Sequence, residues 1–138
     1  MYELNKMAIN QQYSGNYKLA RATFDECISK DPSDNAITNN RARRWCQNNL
    51  IAMINSCEIE AVCDKSYALN LANSLYKYNE YAKIDDHYAI NIADTFYLNG
   101  DKKRAIEVLD HIFKIINPKN VKREIIKKKL HQWKGEVL

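Results

Sequence analysis

Glycine and proline are scarce in this chain, with three of the first and two of the second in 138 residues. So few breakers disfavour linkers and many-turned β folds and favour long helices with short joints. The start of the chain lacks the basic segment and apolar run of an export signal. No window approaches the roughly eighteen apolar residues that a spanning helix needs. The expectation is a cytoplasmic protein without membrane contact. Cysteines number four, at 27, 46, 57 and 63. In a reducing cytosol disulfides are not expected, and Cys27 is read as a small buried hydrophobe.

Catalytic and metal-binding patterns are also missing. Cys57 and Cys63 have five residues between them, against about two to four in a zinc knuckle. His87, His111 and His131 form no HExxH pair. There is no GxSxG elbow and no glycine-rich phosphate loop. Asp25-Glu26, Glu58-Glu60 and Asp85-Asp86 read as solvated helix faces, because neighbours on a helix point different ways and nothing places them in a cleft. No enzyme activity, cofactor or metal is expected.

What the chain does have is apolar content of 46% and a net charge of +4. Its length suits one domain. The charge is uneven. Residues 119–134 hold seven lysines and arginines against one glutamate, and the rest of the chain sums to −2.

The helical periodicity is clearest over 4–32. It predicts a helix from about 2 to 13, a turn at Ser14-Gly15-Asn16, and a helix from about 17 to 30 stopped by Pro32. Ala8 and Ala20 are small enough for two antiparallel helices to approach closely, with Met7, Phe24 and Cys27 filling the flanks. The pattern returns over 89–118, where Ala93, Phe96, Gly100, Ala105, Leu109 and Ile112 follow in the same order. Between the two, Ser33-Asp34-Asn35 offers caps for a helix over 36–47 with Ala42, Trp45 and Ile37 inward. Asn48-Asn49 reads as a turn before a helix over 50–62. Residues 68–76 echo 89–97, which suggests a helix over 66–79 against either a short turn or one longer helix over 82–98. Asp101 is placed to cap the next helix. A last helix over 120–133 carries Val121, Ile125, Ile126, Leu130 and Trp133, and Gly135 can end it.

With Met1 as position one, Leu4, Met7, Ala8, Gly15, Tyr17, Ala20, Phe24, Cys27 and Pro32 fall where the tetratricopeptide repeat has its large, small, turn and closing residues. The chain thus resembles a small, divergent member of that family. The resemblance implies an all-α fold, a right-handed stack of antiparallel helix pairs with seven to eight helices. Residues 1–138 would be one domain: a first repeat over 1–34, a degenerate second over 35–64, an irregular centre over 65–86, a late repeat over 87–118 and a capping helix over 119–134. It also implies a groove lined by first-helix residues. The matching positions are Tyr2, Asn5, Ile9, Gln12 and Tyr13, then Asn40, Arg43 and Gln47, then His87, Asn91, Asp94 and Tyr97.

The implied function is a non-catalytic adaptor or chaperone-like scaffold for a protein or peptide, since tyrosine and arginine often anchor such interfaces. Two alternatives stand beside it. One is a toxin-neutralising immunity protein or inhibitor. The other is a nucleic-acid-associated protein using Arg41, Arg43, Arg44, Lys127, Lys128 and Lys129. Homo-oligomerisation is left open.

Overall fold

The structure is a computed structural model that describes residues 2–29, 36–56, 64–81 and 86–137. The side chains of Tyr2, 36–40, 77–81, 86–87 and Val137 lie outside that description. Every element of regular structure among the described residues is a helix. These helices are α1 (Tyr2–Tyr13), α2 (Tyr17–Ser29), α3 (Ala36–Ser56), α4 (Lys65–Tyr81), α5 (Asp86–Leu98), α6 (Lys102–Ile115) and α7 (Lys122–Val137). The chain divides into two compact units, Met1–Leu71 and Ala72–Leu138, with the boundary inside α4.

Unit 1 is built on the α1–α2 hairpin. Its turn is a Schellman cap, in which Asn16 N–H donates to Gln11 O and Gly15 N–H donates to Gln12 O. Gly15 has φ +83°, a conformation that costs glycine little and other residues more. Ala20, Thr23, Phe24 and Cys27 recur at i, i+3, i+4 and i+7 on α2, and all are buried. α3 packs on both α1 and α2.

Unit 2 repeats the plan 85 residues later. Asp101 N–H donates to Phe96 O and Gly100 N–H donates to Tyr97 O. Gly100 has φ +88°. Ala105, Val108, Leu109 and Ile112 form the buried stripe of α6, and the Asp101 carboxylate caps that helix by accepting from Arg104 N–H. α7 packs on α6. Asp64 likewise caps α4, accepting from Tyr67 N–H at 3.1 Å.

Several expectations need correction. α3 runs straight through Asn48-Asn49. Ala42, Cys46, Leu50, Met53 and Ile54 are all buried, so the apolar stripe keeps its phase across the two asparagines, and no glycine or proline interrupts it. Trp45 is 46% exposed and Met7 50% exposed rather than core. On α7, Ile126, Leu130 and Trp133 are buried but Ile125 is exposed, and Val121 is exposed just before the helix begins. Gly135 does not end α7, which continues to Val137. A glycine inside a helix costs about 1 kcal/mol without breaking it.

The cysteine expectation also changes. Cys27 of α2 and Cys46 of α3 are joined as a disulfide, with Cα atoms 6.7 Å apart. Both side chains are fully buried where the two helices meet, within the Cα range that such a bond requires. The expected stop at Pro32, the caps at 33–35, Cys57, Glu58, Cys63 and the path over 82–85 lie outside the described residues.

Candidate functional site

The late groove positions are occupied by the protein itself. The Lys129 ammonium lies 2.8 Å from Asp94 Oδ1. The rings of Tyr97 and Trp133 stack at 4.7 Å, inclined by 13°. The Tyr97 hydroxyl donates to Glu136 Oε2 at 2.7 Å, and Lys102 approaches the same carboxylate at 3.3 Å. Burial raises the Asp94 pKa above the usual carboxylate value, more than the Lys129 hydrogen bond and charge lower it. The hydrogen bond between Tyr97 and Glu136 is the first cause of two opposite shifts, holding the carboxyl low and the phenol high. Asp94 and Tyr97 therefore clamp α7 onto α5. Asn91 is half-buried on α5, and the His87 side chain lies outside the described residues.

The early groove positions scatter. Asn5 is 2% exposed, and its Oδ1 accepts from Asn49 Nδ2 at 3.0 Å. Ile9, Gln12, Arg43 and Gln47 are half-buried. Tyr13 stands out at 84% exposed. The side chains of Tyr2 and Asn40 are outside the described residues. Among the basic candidates, Arg41, Lys127 and Lys128 are exposed, Arg44 is half-buried, and Lys129 is committed to Asp94.

A polar cluster in unit 1 has no sequence motif to announce it. The Tyr67 hydroxyl donates to Asp25 Oδ1 at 2.6 Å. The Arg21 guanidinium lies 4.7 Å from the Tyr67 ring centre and reaches Asp25 at 3.8 Å and Asp64 at 3.6 Å. Burial first, and then the hydrogen bond to Asp25, push the Tyr67 pKa up to about 12. A phenol held so far above neutral pH is poorly matched to acid–base work. The cluster fastens the start of α4 to α2.

The surface that sequence reasoning missed is the outer face of α1–α2. Met7, Asn10, Gln11, Ser14 and Asn16 surround an open depression of about 470 Å³, with Glu3 and Lys6 at its edge. Gln11 is held in place because its Oε1 accepts from the Thr23 hydroxyl at 2.6 Å. Leu19 is 52% exposed. A signal for this face was available, since aligning the two hairpins 85 residues apart pairs Met7 with Ile92 and Leu19 with Arg104.

No group of metal-ligating side chains occurs among the described residues. Nor is any helix among them long and apolar enough to cross a membrane. No protein-family model matches the chain, and neither does a curated protein sequence or a solved structure.

Proposed function

We propose that this chain is a non-catalytic protein-interaction module, an adaptor or chaperone-like scaffold for a protein or peptide partner. In this reading it is a divergent relative of the tetratricopeptide repeats, with its antiparallel helix pairs belonging to a right-handed stack. The observation that carries the reading is the repetition itself. The same hairpin, with the same glycine cap and the same buried positions, occurs twice and each time receives a third helix. Repeats of this kind bury one face against a neighbour and present another to partners.

The expected groove is revised to fit the side chains. Asn5, Asp94 and Tyr97 serve packing, which leaves Tyr13 as the exposed aromatic anchor and Arg43 as a second contact to test. In the cytosol the Cys27–Cys46 pair would be held reduced.

The test is affinity capture from the native host with and without nuclease, followed by calorimetry against the captured protein. The expected result is a nuclease-resistant protein partner whose affinity falls on Tyr13→Ala with the thermal melt unchanged. Capture that disappears with nuclease would replace this reading with the nucleic-acid one, carried by exposed Arg41, Lys127 and Lys128.

A further inference from the structure

The two hairpins differ most on one face. In unit 2 two side chains of α4 lie against that face. Tyr76 meets Phe96 edge-on at 5.9 Å. Arg104 donates to Asn73 Oδ1 at 2.9 Å and lies over the rings of both Tyr76 and Phe96. Ile92 and Thr95 are fully buried, and Leu75 is nearly so. The counterparts in unit 1 are Gln11 for Phe96, Leu19 for Arg104, Met7 for Ile92 and Asn10 for Thr95. There Met7 is 50% and Leu19 52% exposed, and Asn10 is exposed.

We propose that this face of α1–α2 docks one amphipathic helix of a partner protein, of the kind that α4 supplies to α5–α6. The inference rests on the reading of the chain as a protein-interaction module and names a site apart from the groove positions. The protein itself shows what a hairpin of this plan accepts. Asn73 and Tyr76 of α4 reach Arg104 and Phe96, and Ala72 and Leu75 of the same stretch are buried. The docked helix therefore carries an uncharged stripe with a large aliphatic residue, an aromatic and an amide.

The chemistry of the face agrees with that occupant. Glu3 and Lys6 approach one another at 3.8 Å, so the rim is neutral overall. Met7 is a flexible, adaptable contact, Leu19 adds apolar area, and Asn10 offers an amide donor and acceptor. Laying an apolar helical face on such a surface is a common mode of peptide recognition. A second copy of this chain fits less well. Its exposed Ile125 has Lys122 and Lys128 one turn away on α7, and its exposed Trp45 has Arg41 one turn away on α3.

The probe is a synthetic peptide with the sequence of residues 65–81, titrated into the isotopically labelled full chain and followed by backbone amide shifts. Saturable shifts are expected around Met7, Asn10 and Leu19. Leu19→Glu should weaken binding by about tenfold or more and leave the melting temperature of the free protein unchanged. A control peptide carrying Leu75→Asp and Tyr76→Asp should not bind. The proposal is overturned by the absence of saturable shifts, by shifts confined to residues 72–138, or by shifts that depend on protein concentration without peptide. A natural partner whose affinity falls on Tyr13→Ala but not on Leu19→Glu would overturn this site alone. A chain with no protein partner at all would overturn the reading beneath it.

Discussion

Two hairpins of one plan meet different surroundings in this molecule. In α1–α2 and in α5–α6 the same positions are buried: Ala8 and Ala93, Ala20 and Ala105, Phe24 and Leu109, Cys27 and Ile112. Asp25 and Asp110 also correspond, yet Asp25 receives the Tyr67 hydroxyl of α4 while Asp110 pairs with Lys134 of α7 at 2.9 Å. The third helices differ as well. α3 is tied to α2 through Cys27 and Cys46, whereas α7 is held on unit 2 by Trp133, Lys129 and Glu136. The inner face of such a hairpin is set by its own sequence. Its outer face is decided by whichever element lies against it.

The largest test of that difference compares the two tryptophans of the third helices. Trp133 is 3% exposed and Trp45 is 46% exposed. Trp133→Ala should cost about 4 kcal/mol, and Trp45→Ala about 1 kcal/mol or less, read from denaturant unfolding. Equal losses would mean that Trp45 is also a core residue.

Next comes the pair that defines the outer faces. Ile92→Ala should cost about 3 kcal/mol, because its side chain is fully buried. Met7→Ala should stay within about 1 kcal/mol. A large loss at Met7 would show that its face is already covered.

The disulfide separates the units in another way. Reduction should destabilise unit 1 by roughly 2–3 kcal/mol, and hydrogen exchange should rise in α1–α3 before α5–α7. The Cys27→Ala/Cys46→Ala double variant should show no response to reductant. A response in α5–α7 alone would contradict the assignment.

The smallest effect is a dependence on pH at the Tyr67 cluster. The folded pKa of Tyr67 is about 12, raised from an ordinary 10.0. The folded state therefore holds the phenol proton more tightly, and the associated stability is complete below about pH 10 and lost as pH rises toward 12. Stability of the wild type should fall more steeply than that of Tyr67→Phe across that window. Parallel curves would remove the Tyr67–Asp25 bond from the account.

The legible parts of the fold were local. Gly15 and Gly100 announce their turns because each needs a positive φ, and Asp101 announces a cap because the apolar stripe of α6 begins a few residues after it. Ala8 and Ala20 are buried in a hairpin whose two helices are joined by a three-residue turn. The errors arose where distant contacts decide. Asn48-Asn49 looks like a turn by composition, but the stripe of Cys46, Leu50 and Met53 holds the helix together. Met7 and Trp45 are apolar, yet what buries such a residue is an opposing surface that its neighbours in sequence do not specify. Asp94 and Tyr97 occupy groove positions and serve packing, because α7 returns from 35 residues downstream to meet Asp94. Cys27 and Cys46 are 19 residues apart, and only the packing of α2 on α3 brings them together.

Carbene footprinting of the full chain, read residue by residue by mass spectrometry, tests the central comparison most directly. The account predicts strong labelling at Met7 and Leu19 and near-complete protection at Ile92 and Phe96. The peptide of residues 65–81 should lower the labelling at Met7 and Leu19. Protection at all four positions in the free protein, or labelling at Ile92 and Phe96 as strong as at Met7, would contradict it.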